Sequence, residues 1–276
     1  MPEGHTIHHL IRKLGRALQG RNVRASSPQG RFFEGANELD GKRVISVEAR
    51  GKHALVHWPD TALHVHLGLY GRTRWHQQPA PPPKGAVRLR LETDNRCFDL
   101  VGPNRCVLLD SEDVAALHRR LGQDPLRSDA DPDAVVAAFS RTRRAVAGVL
   151  LDQSVIAGLG NVYRAELLFL AGINPYRPAK DISEAAVRRL WSLSEAALRV
   201  GLKHNQIRVF GESALPSPAG AEGLVPSEFT IQGRWGPRPD RLWVYKRPNC
   251  KVCGSPITQE MQANRTLYWC PACQRD

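Results

Sequence analysis

No apolar run in this sequence approaches the roughly 18 residues of a membrane span, and the first 20 residues hold no signal-peptide core. A spanning or exported protein is therefore not expected; an intracellular one is. No internal repeat is found, which excludes solenoids and propellers. Acidic residues are scarce: 27 Asp+Glu stand against 39 Lys+Arg, leaving a formal charge of +12. That imbalance favours a polyanionic partner, with nucleic acid first, although a basic ribosome-associated protein would share the signature. The 42% hydrophobic and 24% charged contents are those of a globular protein, and 276 residues leave room for roughly two domains.

Cysteine is sparse too, but four of the six stand as Cys250-x2-Cys253-x16-Cys270-x2-Cys273. Each pair can place two thiolates on one turn, and two such turns complete a tetrahedral Zn²⁺ site. Gly254 after the first pair, and Thr266 to Trp269 as a strand entering the second, fit a zinc ribbon with one structural ion. Two disulfides are the alternative, disfavoured in a reducing compartment. Cys97 and Cys106 lie in apolar strand-like segments and read as buried, inert thiols.

The chain begins Met1-Pro2-Glu3-Gly4. Removal of Met1 would leave Pro2 with a free secondary amine. An α-amine titrates near 7.7–8.0, about 2.5 units below Lys, so part of it is neutral and nucleophilic at pH 7. Such an amine can attack a sugar C1′ or aldehyde and hold it as an iminium. Glu3, its neighbour, is placed to shuttle protons. An ordinary N-terminus reading Pro-Glu-Gly is the bland alternative.

Ile7, Leu10, Ile11, Leu14 and Leu18 recur at helical spacing over residues 5–19. From about 42 to 110 the pattern turns to strands, with Pro79 to Pro83 as a loop, so a helix on an antiparallel sandwich or barrel is expected. Residues 111–121 look helical again. Asp131-Pro132 reads as a helix start, and helical segments run from there to about 204. Residues 205–240 are rich in Gly and Pro, which predicts a mobile loop or lid. Within Leu151 to Tyr163, two helical stretches meet at a glycine turn. Gly158 and Gly160 would admit a close ligand, and Asn161 would cap the following helix, whose free amides form a phosphate site. A purely structural helical corner would look the same. His5, His8 and His9 are read as solvent-exposed helix histidines rather than metal ligands.

Five segments together resemble the formamidopyrimidine-DNA glycosylase and endonuclease VIII family of DNA repair enzymes. They are Pro2-Glu3-Gly4, Arg50-Gly51-Lys52, His66 to Gly71, Gln153 to Tyr163, and Arg265-x4-Cys270. Leu69-Tyr70-Gly71 and the Arg265 to Cys270 finger look more like the endonuclease VIII branch, which favours oxidised pyrimidines. The resemblance implies an α+β multidomain fold. A catalytic β-sandwich domain would span 1–121, a helix–two-turn–helix domain with the mobile loop 132–240, and a zinc-ribbon finger 241–276, with DNA in the cleft between.

It also implies roles. Pro2 would attack C1′ of a flipped-out nucleotide, with Glu3 as the acid/base group and β- then δ-elimination following. Lys52 resembles the strand-turn lysine that supports β-elimination and holds a phosphate; a solvated hairpin lysine is its alternative. Asn161 and Arg265 resemble phosphate ligands, Arg265 also serving δ-elimination, and Arg120 matches a more weakly marked one. Leu69 and Tyr70 would fill the gap left by the flipped nucleotide, unless Tyr70 closes the sandwich core. The partner would be damaged double-stranded DNA, bound by a monomer in the nucleoid-associated cytoplasm, with no membrane. Two departures stand out: His5 replaces a common Pro, and Gly68 replaces a Gln that probes the orphaned base. A non-catalytic lesion-binding protein, or an enzyme of the oxidised-purine branch, are the competing readings.

Overall fold

In the computed structural model, Ile7, Leu10, Ile11, Leu14 and Leu18 form the buried stripe of helix α1, Gly4–Leu18. The structure describes residues 2–209 and 241–275, and the chain divides into two units, Met1–Arg120 and Leu121–Asp276.

Unit 1 continues with β1 (Arg24–Ser26), α2 (Phe33–Leu39), β2 (Ser46–Arg50), β3 (His53–His57) and β4 (Ala62–His66). Then follow β5 (Arg72–Gln77), β6 (Val87–Glu92), β7 (Arg96–Val101), β8 (Arg105–Leu109) and α3 (Ser111–Arg120). The strands make two antiparallel sheets, β1-β6-β7-β5 and β2-β3-β4-β8. Alternation sends one set of side chains inward from each strand. Leu89, Leu91, Phe98 and Leu100 of the first sheet meet Ala54, Val56, Leu63 and Val65 of the second, and α1 joins the same core. Arg90 breaks the expected polar-outward alternation. It is buried, its fork donating to Asp99 at 2.7 and 2.9 Å, and its third nitrogen donates to the Pro81 carbonyl at 3.0 Å, which ties down the proline loop.

The expectation for His5 is corrected here. It is 3% exposed, against the Thr6 hydroxyl at 3.2 Å, while His8 and His9 are half-buried. Glu3 and Gly4 are buried beside it, so the start of α1 is covered beyond its apolar stripe and position overrides polarity.

Unit 2 holds α4 (Pro132–Ser140), α5 (Val146–Leu151), α6 (Asn161–Leu170), a 3₁₀ turn (Ala179–Asp181) and α7 (Glu184–His204), then the hairpin β9 (Thr258–Gln262) and β10 (Arg265–Trp269). Asp131 caps α4 as expected, accepting from the Asp133 amide at 2.8 Å with Pro132 in the first turn. α7 ends at His204 with Asn205 left-handed at φ 49°. Of the segment read as a mobile loop, residues 210–240 lie outside the described residues. Ala263 and Asn264 both have positive φ, 51° and 56°, which is what a two-residue hairpin between β9 and β10 demands. Leu267 and Tyr268 of this hairpin share one apolar core with Val149, Leu168 and Trp243, so the finger and the helices bury one another. Among the described residues no helix is long and apolar enough to cross a membrane.

Candidate active site and nucleic-acid interface

Pro2 is half-buried at the very start of α1, and Glu3 directly after it is fully buried. Glu3 is extended at the helix N-cap, and its carbonyl accepts from the Thr6 amide at 2.9 Å. Helix α1 lies on β2 and β3, and the turn joining those strands is Gly51-Lys52, with Gly51 left-handed at φ 57°. Lys52 is thus half-buried at a hairpin end.

β4 leads into a second turn, closed by the Gly71 amide donating to the Leu67 carbonyl at 2.9 Å. Leu69 is 46% exposed and Tyr70 87%, so Tyr70 closes no core. Gly68 has φ +65°, and a Cβ there would lie 2.6 Å from the Asn104 Cβ. A side chain such as Gln is excluded twice at this position, which accounts for the departure noted in the sequence.

In unit 2 the two turns between α5 and α6 are stapled by Gln153. Its amide nitrogen donates to the carbonyls of Leu151 and Leu159 at 2.9 and 3.0 Å, and its oxygen accepts from the Gly158 amide at 3.0 Å. Gly122 supports the same turn from below: a Cβ there would strike the carbonyls of Val155 and Ser154 at 2.4 and 2.5 Å. Asn161 does not cap α6 as expected. Gly160 is the N-cap, and the Asn161 amide is instead used within the unit, its nitrogen donating to the Thr266 carbonyl at 2.8 Å and its oxygen accepting from Arg164 at 2.5 Å. A first-turn side chain cannot fold back on the amides when two other partners claim it.

Arg164 and Glu166 have no motif signal beyond their place in a helix buried at every residue. Arg164 also donates to the Gln262 side chain at 2.6 Å; burial lowers its pKa to about 10, and nearby Arg265 adds to that pressure. Glu166 accepts from the amides of Trp243, Val244 and Tyr245 at 2.6, 3.0 and 2.8 Å. Arg265 is exposed at the start of β10, so the structure brings it to the Asn161–Arg164 network. Exposed Arg120, ending α3, is within electrostatic reach of His53, as is Lys52.

The four finger sulfurs lie within 4.8 Å of one another, with Cys250 and Cys273 at 3.8 Å and Cys253 and Cys270 at 3.5 Å. A tetrahedron with Zn–S bonds of about 2.3 Å has edges of about 3.8 Å. These separations fit a bound ion and are too long for a disulfide bond of about 2.0 Å. Burial, then the neighbouring thiols, pushes Cys270 up to about 11 and Cys273 higher still, a crowding that a divalent cation would relieve. The Gln274 side chain accepts from the Cys270 amide and donates to the Ile173 carbonyl, fixing the second knuckle to the helices. Cys97 and Cys106 are buried, and desolvation holds their thiols at about 11 and about 12, as inert groups require. A basic cavity of about 610 Å³ between Lys13, Arg16, Trp75 and Arg96 includes none of the candidate site residues.

A helix-fronted β-sandwich, a stapled two-turn corner between helices and a four-cysteine hairpin together define the helix–two-turn–helix class of DNA glycosylases. Residues 1–107 match the family model described as the formamidopyrimidine-DNA glycosylase N-terminal domain, and residues 121–211 match its H2TH domain. Endonuclease 8 1 of Mycobacterium tuberculosis is 40% identical over 281 residues, covering 99% of this chain and all of that protein. Formamidopyrimidine-DNA glycosylase of Nocardia farcinica is 30% identical over 303 residues, covering 99% and 98%. In fold, the chain is similar to the Lactococcus lactis enzyme solved with N7-benzyl-Fapy-dG DNA, with a TM-score of 0.79, 23% identity and full coverage of both chains. The chain belongs to the formamidopyrimidine-DNA glycosylase and endonuclease VIII family: it is a DNA glycosylase of base excision repair with AP lyase activity.

Proposed function

We propose that this protein excises oxidised pyrimidines from damaged duplex DNA through the Pro2 amine and then removes the sugar by β- and δ-elimination. One observation carries the reading: Pro2 stands beside a fully buried Glu3 at the start of α1, on the strands whose turn bears Lys52. Pro2 nitrogen forms a bond to C1′ as the bond from C1′ to the base breaks, and the base leaves with a proton. Glu3 supplies the proton that opens the sugar to the iminium. Loss of a C2′ proton breaks the bond to the 3′ phosphate, with Lys52 assisting. A second elimination, served by Arg265, breaks the bond to the 5′ phosphate, and water releases the amine. Asn161, Arg265 and Arg120 hold the backbone, and Leu69 and Tyr70 fill the vacated stack. Zn²⁺ on Cys250, Cys253, Cys270 and Cys273 contributes folding rather than chemistry.

The pyrimidine preference is supported by the 40% identity to a protein named Endonuclease 8 1, against 30% to one named formamidopyrimidine-DNA glycosylase. We keep the division into a catalytic domain over 1–121, a helix–two-turn–helix domain over 132–240 and a finger over 241–276, working as a cytoplasmic, nucleoid-associated monomer. Borohydride trapping on duplexes carrying a panel of lesions tests the reading. A covalent adduct strongest on oxidised pyrimidines is expected. Trapping on 8-oxoguanine alone moves the enzyme to the purine branch, and trapping on no lesion and no abasic site removes the iminium. Glu3→Gln should slow base excision more than cleavage of a preformed abasic site, which already presents an aldehyde.

A further inference from the structure

Three imidazoles occupy one face of the sheet formed by β2, β3, β4 and β8. Ala54 pairs with Val65, so His53 stands opposite His66, and His64 lies two residues back on the same face as His66. His53 Nδ1 and His64 Nε2 share a hydrogen bond of 2.8 Å, with the rings stacked at 5.0 Å. The His66 ring lies 5.0 Å from His53, tilted by 46°. His66 Nδ1 is buried and has no hydrogen-bond partner among the described residues.

The surroundings exclude a proton-accepting role. His53 is held at about 3 and His64 at about 4, by desolvation first and then by positive neighbours, and His66 is lowered for the same reasons. Those neighbours are the other imidazoles of the cluster, with Lys52 from the β2–β3 turn, Arg105 from β8 and Arg120 from α3. Glu48 of β2 lies further along and is engaged by His57 and His118 at 3.3 and 3.1 Å. Bases this weak take up little charge near neutral pH. A neutral pair sharing one proton has a different property: whichever ring donates, the other must accept, so the two tautomers are locked together.

The chain positions give that lock a purpose. His53 directly follows Lys52, and His66 directly precedes the Leu67–Gly71 turn that carries Leu69 and Tyr70. We propose that His53 and His64 are positioning residues whose shared hydrogen bond clamps the Lys52 turn to the Leu69–Tyr70 turn, so that both engage the same nucleotide. The pair also orients His66, whose buried Nδ1 awaits a partner. This rests on the assignment of Lys52 and Tyr70 given above.

The test is single-turnover and steady-state cleavage of a preformed abasic duplex by His53→Ala, His64→Ala and the double variant, with His53→Asn and His64→Gln as conservative replacements. Asn keeps a polar atom near the Nδ1 position and Gln near Nε2. Each alanine variant should lower kcat about tenfold, as loss of alignment does, with KM nearly unchanged. The double variant should be no slower than either single one, and Asn and Gln should restore most of the rate. Imidazole ¹⁵N spectra of the wild type should show both rings neutral at pH 6, in one complementary pair of tautomers. Additive losses, no rescue, or independent tautomers would overturn the proposal. Wild-type borohydride trapping is run alongside: its absence sinks the Pro2 reading, whereas the spectra report on the histidine pair either way.

Discussion

Asn161 and Lys52 are both proposed to hold backbone phosphates, yet the molecule holds them in opposite ways. Asn161 is buried in a polar network that reaches Thr266, Arg164 and Gln262, and those bonds join α6 to the finger. Lys52 is half-buried on a two-residue turn, and Leu69 and Tyr70 are exposed on the Leu67–Gly71 turn. In unit 2, therefore, Asn161 would touch DNA and also holds the fold. In unit 1 Leu69 and Tyr70 project from it, and their contact with DNA can be removed while stability stays. Buried polar networks penalise the loss of any one member, whereas turn side chains are in water with or without a partner.

The sharpest break of this comparison is at Pro2. Blocking the Pro2 amine should abolish borohydride trapping while melting temperature and DNA affinity stay close to the wild type. Full trapping by a variant retaining Met1 would falsify the role of Pro2.

Cys250→Ser should have the largest effect in unit 2. Cys250 and Cys270 belong to the shared core, so losing the ion should destabilise the helices as well as the hairpin, by about 3 kcal/mol or more. Metal content and urea unfolding check it; one equivalent of zinc retained at unchanged stability would sink the assignment.

The pair Asn161→Ala and Lys52→Ala tests the comparison directly. The first strands the Thr266 carbonyl and part of Arg164, costing about 2 kcal/mol. The second should cost less, because Lys52 is only half-buried at a turn. Both should weaken DNA binding. Equal unfolding midpoints would erase the distinction drawn here.

In unit 1 acid should act through the buried histidines. His53 and His64 titrate at about 3 and about 4 in the fold but near 6.5 when unfolded. Their stabilising contribution is therefore full above pH 6.5 and is lost as pH falls from there toward about 3, because protons bind the unfolded chain first. Thermal melts at pH 7.5 and 4.5 should show the drop, and His64→Gln should shrink it; an unchanged drop would place the sensitivity elsewhere.

Tyr70→Ala should have the smallest effect on the fold. At 87% exposure it leaves melting unchanged while slowing excision from duplex DNA about tenfold, with cleavage of single-stranded abasic DNA spared. Earlier melting with equal loss of both activities would return Tyr70 to a structural role.

How much of this was legible in the sequence depends on the range of the interaction. Helix α1, the cap at Asp131, the strand periods and the CxxC pairs are local, and each was readable because neighbours in sequence are neighbours in space. Asn161 reads from the sequence as a helix start, but its bonds do not, since its partners Thr266 and Arg164 include a residue 105 positions away. The burial of His5 is not legible, because helical spacing reports one face and says nothing of what covers the end of a helix. Arg164, Glu166 and the His53–His64 pair carried no signal, since a charged residue in a helix, or His in an alternating strand, is ordinarily at a surface.

Spacing and residue chemistry suffice for the metal-ready finger, the nucleophile candidate and the order of sheets and helices. Long-range packing is what makes the finger share its core with the helices, ties α6 to β10 through Asn161, and favours glycine at position 68. It also decided that three histidines meet beside Lys52. These depend on which distant groups are buried together, and burial, by removing water as the competing partner, is what gives such contacts their energy.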